Sequence, residues 1–212
     1  VLDSENKDIF SKEILIKDLS INNNLKTFDE FLKKNIFLVE KNLGEYVKEV
    51  FLIIDYDDIF SINLSLRYDF EESQFNLNDM HKRLLNIKNH FKKSISNHEI
   101  IHMMINKYII DNEIYSSLPV EKNFNNLCLE IKFICLQDFI IQNLKEILSK
   151  YQISVNKILC NNYLKEFNNL NNENIFNIAE NIVNGLNQNE IFIINKSTKN
   201  KGFFEKFFEF FS

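Results

Sequence analysis

His98-Glu99-Ile100-Ile101-His102 matches the H-E-x-x-H pattern. On a helix this spacing sets two imidazoles one turn apart on a single face, where both bind Zn²⁺ while the glutamate acts as general base. The chemistry therefore requires a helix. Ile101, Met104, Ile105 and Tyr108 would fit a helical stripe, but residues 94–97 read as a break after a preceding helix and residues 106–111 read as extended into a turn. On a strand, side chains four apart share a face yet stand roughly 13 Å apart along the chain, too far for one metal. No third ligand stands at a family spacing. The reading favours a strand with two ordinary histidines; a small zinc metalloprotease using residues 98–102 is the competing one.

Other chemistries find less. A phosphate loop needs glycines, because backbone N–H groups must approach oxygen closely. Gly44, Gly185 and Gly202 are isolated, and no G-x-G, D-x-G or G-K-[ST] occurs. No cofactor is expected. Serine and cysteine nucleophiles lack an elbow or a recognisable histidine partner. Cys128, Cys135 and Cys160 show no C-x-x-C spacing and read as reduced, half-buried thiols of a cytosolic protein. A net charge of −5 argues against a nucleic-acid partner.

The end of the chain carries the strongest signal. After Gly202 come Phe203, Phe204, Phe207, Phe208, Phe210 and Phe211. At 100° per residue the six rings fall in one arc of roughly 160°, with Glu205, Lys206 and Glu209 opposite. So short a helix does not hold together in water alone and needs an apolar surface: the protein's own core, a partner's groove or a bilayer interface. Three features favour the bilayer. Residues 195–201 form a polar linker; Lys196, Lys199, Lys201 and Lys206 cluster beside the helix, each worth about 1 kcal/mol near an anionic leaflet; and aromatic rings favour the headgroup boundary. Burying six phenylalanines gives at most about 9–18 kcal/mol, while ordering the segment costs on the order of 10 kcal/mol. One copy is a weak, reversible anchor, and many copies on an oligomer are a strong one.

The elements that position these residues follow from periodicity and punctuation. Residues 10–17 alternate loosely and predict a strand. Thr27 with Glu30 three residues on predicts a capping box and a helix with Phe28, Phe31, Leu32, Phe37 and Val39 on its apolar side, stopped by Gly44. Strands are expected at 47–55 and 59–70, the second placing Ile62, Leu64 and Leu66 on one face. Asn76 caps a second helix, with Asp79 in its first turn and Lys92 and Lys93 suiting its C-terminal end. Strand-like runs at 99–111 and 126–135 flank Pro119 in a turn. A third helix over 137–151 and a strand over 153–160 follow. Beyond residue 168 the chain becomes Asn-rich, with short structured pieces at 175–183 and 190–194. The order predicts an α+β fold with about three helices packed on a mixed sheet.

The 212 residues suffice for one or two domains. The abundance of Asn, Lys, Ile and Phe, against Gly 3, Pro 1 and Trp 0, reads as an AT-rich coding bias. No run of about 18 uncharged apolar residues occurs, so no spanning helix is expected. The opening Val1-Leu2-Asp3-Ser4 is no signal peptide, and without an initiator Met the chain reads as clipped or incomplete.

Several stretches carry a family likeness. Residues 100–111 (IIHMMINKYIID) look like an I-L-H-V-I-P-x-x-Y-x-V-D strand pair, and Phe75 to Met80 like an I-T-x-x-D-V helix start. Gln142-Asn143-Leu144, Ile153-Ser154-Val155 and Ile158 follow a Q-N-L…G-L-x-V…I-V-L pattern, and Pro119 and Leu127 fall on a P-x-G-M-x-G-x-x-L stretch. Together, over about 130 residues in order, these resemble the FtsA family of actin-like bacterial cell-division proteins, which tether FtsZ filaments to the membrane. The departures are Ile105 for the proline, Glu121 and Phe124 for two glycines, and Gln152 for a third. The ATPase half, with its glycine loop, is missing.

The resemblance implies a partial actin-like 1A subdomain (residues 1–70), an inserted 1C, SHS2-like subdomain (71–152), a return to the 1A sheet (153–167), an Asn-rich linker (168–201) and a membrane-targeting helix (202–212). It implies a non-enzymatic, cytoplasmic protein, peripheral on the inner face of the cell membrane at the division site, meeting FtsZ, an FtsN-like protein or itself. An incomplete fragment of an actin-like ATPase is the other alternative.

Overall fold

The computed structural model describes residues 10–14, 21–69, 76–119, 125–168 and 174–191. In chain order its elements are α1 (Ile21–Leu43), β1 (Glu49–Ile54), β2 (Phe60–Asp69), α2 (Leu77–Ser94), β3 (His98–Ile110), β4 (Glu113–Tyr115), β5 (Asn126–Gln137), α3 (Asp138–Ser149), β6 (Ser154–Cys160), α4 (Asn161–Asn168) and α5 (Ile175–Val183). This is an α+β fold with sheets of mixed strand direction. The described residues hold five helices where three were expected: α4 was not foreseen, and α5 was foreseen only as a short structured piece.

Two compact units divide the chain, the first made of residues up to 52 with Phe139–Ile158, the second of Ile53–Asp138 with residues from 159 on. In the first, Leu25 of α1 and Ile140, Ile141, Ile147 and Leu148 of α3 are buried. The Asp29 carboxylate accepts from Lys150 Nζ at 2.6 Å and from the Tyr151 hydroxyl at 3.0 Å, joining α1 to the end of α3. Those bonds, with Lys150 first, hold the Asp29 carboxyl below its ordinary range. β1 and β6 form a two-stranded sheet.

Three expectations in this unit need correction, the first being Phe37, expected on the apolar side of the helix but 71% exposed, because it falls opposite buried Leu25 and Asn35. The helix begins at Ile21, not at Thr27, so the capping box is no cap. Burial of Leu25 carries the helix back through Asn22, Asn23 and Asn24, packing outweighing their weak helix propensity. The strand over 10–17 is not formed in its described part: residues 10–14 have no regular structure, and Ile14 remains 49% exposed, gaining nothing by alternation. Gly44 does stop α1, at φ +77° with its N–H bonded to the Glu40 carbonyl at 2.8 Å.

The second unit is built on a four-stranded sheet of order β2-β5-β3-β4, every pair antiparallel. Alternation sorts its side chains. From β5, Leu127, Leu129, Ile131, Phe133 and Cys135 enter a large core with Met80, Leu84 and Phe91 of α2, and Ile62, Leu64 and Leu66 of β2 pack against it. On the other face, Met104 and Ile134 meet Tyr163 and Leu164 of α4 and Ile178, Ala179 and Ile182 of α5 in a smaller core. Asn76 caps α2 as expected, its side chain accepting from Asn78 N–H at 2.8 Å. Asp111 and Asn112, both at positive φ, turn β3 into β4, the backbone of a two-residue hairpin loop.

Candidate functional site

The H-E-x-x-H residues lie on β3, not on a helix. The ladder to β5 pairs Ile100 with Cys135 and His102 with Ile134, leaving Ile101 as a bulge. One extra residue in the ladder changes which residues share a face. Ile100 therefore packs against the large core and Ile101 against the small one. His98 lies edge-on to Phe60, ring centroids 5.0 Å apart, and its Nδ1 is 2.7 Å from the Ser96 carbonyl. His102 lies against Tyr163 of the small core, centroids 4.4 Å apart. The two imidazoles thus face opposite sides of the sheet and cannot share an ion. Among the described residues no three His, Cys, Asp or Glu side chains gather to hold a metal.

His102 has a defined role of another kind. Its Nε2 accepts the Cys160 backbone N–H at 3.0 Å. A backbone N–H can only donate, so Nε2 carries no proton and the hydrogen sits on Nδ1. Nδ1 then donates to Glu190 Oε1 at 2.9 Å. The other carboxylate oxygen, Oε2, accepts the Tyr163 hydroxyl at 2.9 Å, and that hydroxyl accepts Asn187 Nδ2 at 2.8 Å. The side chains of His102 and Glu190 are 0% and 2% exposed. Burial, then the charge of Glu190, raises the Tyr163 pKa and keeps the phenol protonated.

The backbone delivers each member. Ile105 N–H donates to the Asn189 carbonyl at 3.0 Å and Ile191 N–H to the Met103 carbonyl at 2.7 Å. Residues 189–191 are thereby laid along β3 and aim Glu190 at His102. Cys160 ends β6, and Tyr163 sits in the first turn of α4. The result is a polar clasp closing the small core. A buried carboxylate needs such donors on both oxygens, and each bond to it is worth roughly 1.5–3 kcal/mol.

Sequence reasoning missed Glu190, Tyr163 and Asn187 as partners of His102. The available signal was a lone carboxylate directly before the apolar run 191–194. The aromatic tail (Phe203, Phe204, Phe207, Phe208, Phe210, Phe211) and its lysines (Lys196, Lys199, Lys201, Lys206) lie outside the described residues, and no described helix is long and apolar enough to cross a membrane. Burial also pushes the Cys135 thiol up to about 11 and the Tyr108 phenol to about 12. No family model matches the chain, and no curated protein does.

Proposed function

We propose that the chain is an FtsA-like protein of the bacterial division apparatus: a non-enzymatic adaptor, peripheral on the inner face of the cytoplasmic membrane, that meets FtsZ, an FtsN-like protein or a second copy through its 1C-like portion. The observation offered in its support is that α2, β3, β4 and β5, which span most of the 71–152 portion, follow one another in the chain and share one antiparallel sheet with β2 at its edge. Of the likeness motifs, the run likened to a strand pair forms a single strand and the start of its turn. Residues 100–110 lie in β3, Asp111 begins its turn and accepts the N–H groups of Asn125 and Asn126 at 3.2 and 3.0 Å, and Asn76 caps α2.

A departure from the family pattern supports the reading as well. Gln152 stands where the family carries glycine, and its φ is +60°, the left-handed region that glycine favours. A left-handed residue just past a helix end is common, and this one agrees with a glycine at that place in the family pattern.

Membrane contact rests on the sequence of residues 202–212. Removing them abolishes co-sedimentation with phosphatidylglycerol liposomes, and exchanging Phe207 and Phe208 for Glu does nearly the same. Unchanged sedimentation of both variants overturns the tether.

A further inference from the structure

The outward face of α1 carries an unusual combination. Leu25 and Asn35 are buried on the inner side, with Phe28, Phe31, Leu32, Ile36, Val39 and Leu43 half-buried beside them. On the opposite side Phe37 is 71% exposed, and the neighbouring Leu38 is 42% exposed. Lys33, Lys34 and Lys41, all exposed, stand at i−4, i−3 and i+4 of Phe37, its nearest neighbours on the helix surface. Lys26 extends the same arc, about 100° wide. Glu30 is the acid of this arc; Asp29, whose charge also reaches Lys33, is bonded to Lys150 and Tyr151, and Glu40 accepts the Val47 N–H at 3.2 Å. In a chain of net charge −5, four lysines against one glutamate around a bare phenyl ring is a local reversal of sign.

We propose that this face is a second membrane contact, with Phe37 entering the headgroup layer of an anionic bilayer while Lys33, Lys34 and Lys41 engage its phosphates. Lysine stems lie along apolar surface and extend their ammonium groups to the phosphate level, and basic clusters near an anionic leaflet add attraction with each residue. A groove on a protein partner would demand an apolar row at i, i+3 or i+4, and i+7. The arc offers one ring where such a row needs three, so the geometry favours a deformable lipid surface over an acidic protein. The proposal rests on the membrane reading above for its partner, but on different residues.

The chain contains no tryptophan, so Phe37→Trp supplies a single fluorophore at the site. With the full chain, its emission moves to shorter wavelength on phosphatidylglycerol vesicles and stays put with vesicles of phosphatidylcholine alone. An unshifted emission while the protein sediments with the vesicles overturns the proposal. Exchanging Lys33 and Lys34 for Glu, both on the solvent side and with the fold checked by circular dichroism, weakens binding to phosphatidylglycerol vesicles at least about tenfold. If that variant binds as the parent does, the α1 contact is refuted, and an acidic protein becomes the occupant to seek. The Phe207 and Phe208 exchange separates the two readings: losing all binding there, with the α1 variant unaffected, leaves the tail alone as anchor. Binding lost only in the α1 variant upholds this proposal and removes the tail.

Discussion

On one face of the four-stranded sheet, α2 closes over Leu129, Ile131 and Phe133 with no charged side chain among the buried members. On the other, α4 and α5 close over Met104 and Ile134 with Glu190 and His102 sealed in beside them. The first core is made mostly of elements that follow one another in the chain, joined by Ile191 from far along it, and its buried members are apolar. The second draws together His102 and Glu190, 88 residues apart, and uses a carboxylate that must find two donors. A slip would cost apolar packing its face, and it would also leave a buried carboxylate without its donors. The difference teaches that residues 189–191 are held from both sides, Ile191 by burial in the large core and Glu190 by its two donors in the small one.

The largest effect is expected on the apolar side. Phe133 is fully buried and packs on Phe91 with centroids 4.4 Å apart, so Phe133→Ala should cost about 3–5 kcal/mol, read as a lower denaturant midpoint. Glu190→Gln keeps the volume of the clasp but sets an NH₂ group against one of its two donors, at a cost of about 2–3 kcal/mol. Combined with Tyr163→Phe, the two changes should be non-additive, whereas Phe133→Ala with Glu190→Gln should add; additivity within the clasp would break the comparison.

A further effect is expected in alkali. Cys135 lies in the large core with its pKa raised from 9.0 to about 11, and Tyr68 and Tyr108 there rise from 10.0 to about 12, chiefly through burial. These groups hold protons in the folded state that the unfolded chain releases. Their contribution is complete below pH 9 and is lost as pH climbs through 9 to 12. Chemical denaturation at pH 8 and pH 10.5 should show the decline, and Tyr108→Phe should flatten it.

Much of the apolar core was legible. Ile62, Leu64 and Leu66 alternate in sequence as they do in β2, Asn76 announces α2, and Gly44 ends α1, because each of these depends on neighbours within a few residues. The start of α1 was not legible, since a buried Leu25 outweighs three asparagines. Nor was the clasp: beyond a lone carboxylate before an apolar run, nothing local links His102, Tyr163 and Glu190, and it is the path of residues 189–191 along β3 that unites them. The H-E-x-x-H ambiguity has the same origin, because a bulge at Ile101 erases simple alternation.

That bulge and the second one, between Ile105 and Lys107, change the parity of β3 twice. Even-numbered Ile100 points into the large core, then odd-numbered Met103 and Ile105, then even-numbered Tyr108 and Ile110 again. The far end of the strand is thus back in step with its beginning. Ile101 and Asn106 are places where length is negotiable: losing either would restore an unbroken ladder on the spot, while losing Met103 or Met104 would turn every residue up to the next irregularity inside out.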